Sequence, residues 1–188
     1  MPYPESVDTA RLALRRPRLG DEQAFLAVWT DPDVWRALRP GAPFDPEHAR
    51  KRFRHHLGHW ERHRFGIWLV GDRATGESAG VLGASHPDFV PELTDEIEIG
   101  WSLRRAFWGQ GLATEGAQAA TAAALEQLRP SRLISLIPAD NRRSAAVAKR
   151  LGMRDTGAVE HGELGLQLRL YVLEASPQDE LERATRPR

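Results

Sequence analysis

Cysteine is absent from this 188-residue chain. That excludes disulfides, a thiolate nucleophile and any zinc site built on sulfur. Net charge is absent too. The 26 basic residues, almost all arginine, balance 26 acidic ones, so no global field draws the chain to nucleic acid or to an anionic membrane. No apolar run approaches the roughly 18 residues of a membrane-spanning helix, and nothing resembles the apolar region of a secretory signal. These lacks point to a cytoplasmic protein. The length fits one domain, taken as residues 1–175 with a polar tail over 176–188.

What is present is an alternation of strand and helix signals. Residues 11–16 read as a strand, and a helical run follows Gly20-Asp21 to about Leu38. Arg39-Pro40-Gly41-Ala42-Pro43 reads as a loop by its breaker content. Asp45-Pro46 starts a second helix, with Asp at the N-cap, Pro at N1 and Phe53, Leu57 and Trp60 at helical spacing. Strands are expected at 66–70 and 80–84 around a glycine-bounded turn, at 94–103 and at 133–137. A helix is expected over 141–150, ended by Gly152. A final hairpin spans 154–174, where Leu164, Leu166, Leu168, Leu170 and Val172 alternate. The order is β-α-α-β-β-β-α-β-α-β-β, an α/β arrangement.

The most informative stretch is Trp108-Gly109-Gln110-Gly111-Leu112-Ala113-Thr114-Glu115. It joins the strand Glu98-Ile99-Gly100-Trp101-Ser102-Leu103 to an alanine-rich helix. Two glycines at i and i+2 permit a tight turn and close approach of a ligand. The first N–H groups of the helix then point outward without partners, which suits a phosphate or pyrophosphate. A P-loop needs Gly-Lys-Ser/Thr here, and Gly-Leu-Ala stands instead. A dinucleotide fingerprint belongs in the first βαβ unit with an acidic residue about 20 positions on, and Arg-Pro-Ser follows this helix. An ordinary strand-to-helix glycine turn is the competing reading.

Four stretches taken in order resemble the GNAT acetyltransferases, in particular the branch of the ribosomal-protein N-terminal acetyltransferases (RimJ/RimL-like). They are Thr9-Ala10-Arg11-Leu12-Ala13-Leu14-Arg15, Glu98-Ile99-Gly100-Trp101, the Trp108–Glu115 turn, and Asn141-Arg142-Arg143-Ser144 running to Leu151-Gly152-Met153. The resemblance covers roughly residues 8–175. It implies a mixed, mostly antiparallel sheet of six or seven strands, splayed between the fourth and fifth, with about four flanking helices. It also implies acetyl-CoA as cosubstrate and no metal. The pantetheine arm would pair with backbone groups of Trp101, Ser102 and Leu103, and Asn141 would also hold it. The N–H groups of Gly109, Gln110, Gly111, Leu112, Ala113 and Thr114 would hold the pyrophosphate. Trp108 fills a slot where many relatives carry Gln or Arg; it is read as packing without loss of binding, and is counted among the cofactor-binding residues that the resemblance implies.

Acetyl transfer to an amine needs a neutral amine and a proton for the departing thiolate. An α-amine titrates at about 7.7–8.0 and a lysine at about 10.4, so an N-terminus needs less help from a base. Strand alternation puts Glu98 and Glu96 on one face, opposite Ile97 and Ile99; the resemblance selects Glu98 as the base. A salt-bridged or solvent-facing glutamate is the plain alternative. Asn141 and Ser144 suit helix capping. The resemblance, through its Asn-x-x-Ser pattern, places Ser144 close to the thioester sulfur, as the substitute for the Tyr with which many relatives protonate the thiolate; no Tyr stands in this helix.

His55, His59 and His63 recur at i, i+4 and i+8 on one helix face. Arginines surround them and no carboxylate partner is evident, so a solvated or acceptor-facing surface is expected rather than a metal site. The resemblance implies a primary amine as acceptor, on a peptide N-terminus or a small molecule, and neither nucleic acid nor membrane is expected as a partner; a homodimer is left open. A module that binds acyl-CoA without turnover, or transfer of a larger acyl group, are the other readings.

Overall fold

The computed structural model describes residues 2–39, 45–161 and 166–175. One eight-stranded sheet carries the fold, in the order β1-β2-β3-β4-β5-β6-β8-β7. Its strands are β1 (Ser6–Asp8), β2 (Leu12–Arg15), β3 (Ile67–Asp72), β4 (Ser78–Ser85), β5 (Ile97–Leu103), β6 (Arg132–Pro138), β7 (Arg154–His161) and β8 (Leu166–Glu174). The helices are α1 (Glu22–Trp29), α2 (Pro32–Leu38), α3 (Pro46–His63), α4 (Leu112–Gln127) and α5 (Arg142–Arg150). The short β1 adds a strand at the start, so the family's fourth and fifth strands are β5 and β6 here. Among the described residues no helix is long and apolar enough to cross a membrane.

The single helix expected to run to Leu38 is two. Asp31-Pro32 breaks it, because proline cannot continue the hydrogen-bond ladder but suits a helix start. Asp31 then caps α2 by accepting the Asp33 N–H at 3.0 Å. The same Asp-Pro chemistry opens α3, where Asp45 accepts from Glu47 at 2.9 Å. The strand expected from 94 starts at Ile97, since a 3-10 turn (Pro91–Leu93) occupies the approach. The rest of the loop from 40 to 44, Leu164 of the alternating run, and the tail from 176 lie outside the described residues.

β3 is buried on both faces. Trp68 and Val70 join α4 in one cluster with Leu12, Leu14, Leu82 and Ile99. Ile67 and Leu69 join the α1–α3 layer with Phe25, Val28, Trp29, Phe53 and Val81. This is the period-two alternation of a strand sandwiched between helices. The small residues of α4 let it press against the sheet. A Cβ on Gly116 would stand 2.3 Å from Leu82 Cδ2, so glycine sets how close helix and strand lie.

β4 and β5 pair antiparallel from Ser85↔Glu98 to Gly80↔Leu103. β5 and β6 run parallel and pair only at Ile97↔Leu133 and Glu98↔Ile134. Beyond Glu98 the two strands diverge. β6 turns to β8, pairing with it over its whole length.

Candidate active site

The divergence of β5 from β6 opens a cleft lined by Leu38, Glu98, Gly100, Trp101, Ser135, Leu136, Pro138, Asn141 and Ser144. It leads into a groove of about 1250 Å³ between α2, the turn before α4, and α5. Leu38, Trp101, Pro138, Asn141 and Ser144 border both. Glu98 and the Asn141–Ser144 pair, far apart in sequence, therefore meet at one place.

In an antiparallel pair each residue turns both backbone groups to one side. The Arg104 N–H bonds to Ala79 O at 2.9 Å, so the even residues of β5 face β4. Ser102, opposite Val81, is among them. Its backbone is committed to the sheet, contrary to expectation, although the residue borders the groove. Trp101 and Leu103 face the opening. The Leu103 carbonyl accepts the Trp108 indole N–H at 2.6 Å, and the Ile99 carbonyl accepts the Ser135 hydroxyl at 2.6 Å. Trp108 thus packs as expected, with Arg105 at 5.2 Å and Arg143 at 4.8 Å from its ring centre.

At the turn, Gly109 and Gly111 take φ of 76° and 78°. L-residues reach that left-handed region only at a cost, so glycine is required by conformation rather than by crowding. A Cβ on Gly109 would meet nothing within 4 Å. The first N–H of α4 to find a carbonyl is that of Glu115, bonded to Gly111 at 3.0 Å. The N–H groups from Gly109 to Thr114 have no protein acceptor among the described residues. The motif near the start supports this turn. Arg11 donates to the Gln110 carbonyl at 2.9 Å and to Glu115 at 2.7 Å, and Thr9 donates to Glu115 at 2.6 Å. Burial would raise the Glu115 pKa, but these hydrogen bonds hold it below the ordinary value.

Glu98 accepts the Leu136 N–H at 3.3 Å. Burial pushes its carboxyl up to about 7, opposed by the Leu136 hydrogen bond and the charge of Arg52 on α3. Glu96, the other candidate, is held by Arg132, whose Nε lies 3.0 Å away. Asn141 caps α5, its Oδ1 accepting the Ser144 N–H at 3.1 Å. Ser144 is therefore not the cap, and its hydroxyl bonds to nothing among the described residues.

Within the histidine stripe His55 and His63 are half-exposed, but His59 is not solvated. His59 is 3% exposed. Its Nδ1–H donates to the Phe65 carbonyl at 2.9 Å and its Nε2 accepts the His86 N–H at 3.1 Å, tying α3 to the end of β4. His55 does have a carboxylate neighbour, Asp88 at 3.5 Å. No group of three or more potential ligands could hold a metal among the described residues. Burial, with His63, His86 and His55 close by, lowers His59 to about 4 despite its bond to Phe65.

A sequence model described as the GNAT acetyltransferase domain matches residues 11–154. The chain belongs to the GNAT acetyltransferases. It is an acyl-CoA-dependent acetyltransferase, and enzymes of this family use acetyl-CoA. Among relatives, the uncharacterized N-acetyltransferase p20 of Bacillus licheniformis is 25% identical, over 85% of this chain and 88% of its own. The Bacillus subtilis protein YkkB is 31% identical over 90 residues, about half of either chain. An acetyltransferase from Agrobacterium tumefaciens superposes with a TM-score of 0.76 at 29% identity, covering 90% of this chain and 94% of its own. RimL, a ribosomal L7/L12 α-N-protein acetyltransferase solved with coenzyme A, shares the fold at 20% identity, with a TM-score of 0.69 over 93% and 98% of the two chains.

Proposed function

We propose that this GNAT enzyme moves an acetyl group from acetyl-CoA directly to a primary amine, with Glu98 as general base. One observation carries the reading. A partly buried carboxylate titrating near 7 stands in the same cleft as Ser144 and Asn141, where the sheet opens. A base is most effective when its pKa lies near the working pH.

The surrounding residues fit the cosubstrate. The unpartnered N–H groups from Gly109 to Thr114 suit a pyrophosphate, and the free edge of β5 at Trp101 suits the amides of an extended arm. Acetyl-CoA supplies the activated thioester. Glu98 takes the proton released as the amine nitrogen bonds to the acetyl carbon. The Ser144 hydroxyl donates a hydrogen bond to the sulfur as the C–S bond breaks, and water supplies the proton that the thiolate takes up. RimL, with the same fold, acts on a protein N-terminus; that acceptor class and small-molecule amines are both within reach of this chemistry. The test is release of free thiol from acetyl-CoA over a panel of amines. Turnover in the wild type and a loss of about 10²–10⁴-fold in Glu98→Gln is the expected result. Undiminished turnover in the variant overturns the assignment.

A further inference from the structure

α3 carries Arg52 within electrostatic reach of Glu98 in the cleft. Its guanidinium lies 4.4 Å from the centre of the Trp29 ring, and that of Arg39, just past α2, lies 5.1 Å from the centre of Trp35. Arg39 Nη1 meets His48 Nε2 at 3.1 Å. Both arginines bear on His48, and Arg52 bears on Glu98. Arg39 follows Leu38, which lines the cleft with Glu98.

Neither arginine enters an ion pair among the described residues, although twelve such pairs are formed elsewhere. Each also keeps a buried Nε with no hydrogen-bond partner, and no other arginine of the described residues does. A buried donor on a charged group is costly to leave unmatched. Stacking on an indole fixes the plane of a guanidinium while leaving its N–H edge for a planar, two-oxygen partner. Glu98 and Asp88 are the carboxylates whose charge reaches Arg52, and neither is in contact with it.

We propose that Arg52 and Arg39 bind a carboxylate on the acceptor, so that the substrate class is a primary amine carrying a carboxylate close to its nitrogen. The inference rests on the Glu98-centred transfer above. The carboxylate comes either from a free amino acid or from an acidic residue next to a peptide N-terminus, and the experiment separates the two.

The acceptors are matched pairs: alanine against alaninamide, and Ala-Asp-Ala-amide against Ala-Asn-Ala-amide. In the wild type the carboxylate member of one pair is expected to have a kcat/KM about 10–100-fold higher. The pair that discriminates names the source. Arg52→Gln and Arg39→Gln should each abolish most of that ratio through KM, and Arg52→Lys, which keeps the charge over Trp29, only part of it. Loss of Arg52 also alters Glu98, but that effect falls on both members of a pair and cancels. Equal use of both members in the wild type overturns the proposal, as does an Arg52→Gln loss shared equally by both. Calorimetry on the protein loaded with coenzyme A supplies a readout without turnover. The N-acetyl forms of the same four compounds are the probes. If no amine is acetylated, the transfer reading fails separately, and calorimetry alone decides. Tighter binding of a carboxylate member, lost in Arg52→Gln, upholds the site, and equal binding overturns it.

Discussion

Asp31 Oδ2 accepts the Arg105 N–H at 2.7 Å while Oδ1 of the same carboxylate caps α2. One side chain thus joins the helix on one wall of the groove to the 3-10 turn (Arg105–Phe107) that precedes the glycines on the other. Asp31→Ala is expected to cost about 0.5–2 kcal/mol of stability, the usual range for a lost cap. It should also weaken acetyl-CoA binding, because the turn loses its tether. Thermal melts with and without acetyl-CoA measure both; a lower melting temperature with an unchanged ligand-induced shift would detach the carboxylate from the groove.

Gly111→Val should act through the backbone. Its φ of 78° costs an L-residue roughly 1–2 kcal/mol, with a β-branched side chain at the upper end. Acetyl-CoA at 100 times its dissociation constant stabilises the wild type by about 2.7 kcal/mol. That stabilisation should largely vanish in the variant, since the N–H groups no longer converge. A full ligand-induced shift in a folded Gly111→Val protein would sink the pyrophosphate assignment.

Ser144 and Asn141 should separate cleanly. Asn141 holds the cap, so Asn141→Ala is expected to lose about 0.5–2 kcal/mol of stability. Ser144→Ala should leave the melting temperature nearly unchanged and lower kcat, with acetyl-CoA affinity intact. Chemical denaturation and steady-state kinetics on each purified variant decide it. Normal turnover in Ser144→Ala removes the hydroxyl from the mechanism.

Glu98→Gln should be more stable than the wild type at high pH. The folded carboxyl titrates at about 7, above its ordinary 4.5. A group raised in this way favours the fold below its unfolded pKa, and that contribution is lost as pH rises through 7. Glutamine keeps an acceptor for Leu136 and never ionises. The variant's advantage should therefore grow between pH 5 and pH 8 to about 1–3 kcal/mol, alongside a wild-type rate that climbs through 7. If the acceptor is the α-amine of a peptide, the penalty in rate should shrink towards pH 8, where about half of the amine or more is already neutral.

His59 works in the opposite direction. Its folded pKa of about 4 lies below the ordinary 6.5, so its stabilising contribution is complete above 6.5 and is lost as pH falls towards 4. The melting temperature should drop between pH 7 and pH 5. His59→Gln should begin lower at pH 7 and fall less steeply. Parallel pH slopes for the two proteins would assign the acid sensitivity to other groups.

Much of this was legible in the residues because the signals are local. Asp45-Pro46, the paired glycines and the alternating strands each follow from backbone sterics within a few positions. The helix break at Asp31-Pro32 carried the same Asp-Pro signal as Asp45-Pro46, but an apolar run on both sides masked it. The histidine stripe misled for a different reason. Spacing along α3 fixes which residues share a face, but not which face meets the sheet, and the carbonyl and N–H that satisfy His59 come from residues 65 and 86. Arg39 and Arg52 stood among many arginines. Only a fold reveals that, among the described residues, they are the two arginines whose Nε atoms are buried without partners.

The two parallel register pairs between β5 and β6 are a seam. On one side hang five strands and on the other three, and beyond those pairs the two strands share no ladder. The Glu98–Leu136 hydrogen bond is one of the extra stitches, and the Ser135–Ile99 bond another. If Glu98 takes a proton from each amine, its hold on Leu136 changes from a charged acceptor to a neutral one, which is the weaker bond. The seam then slackens once per turnover, at the moment an acetylated product stands in the opening and has to leave.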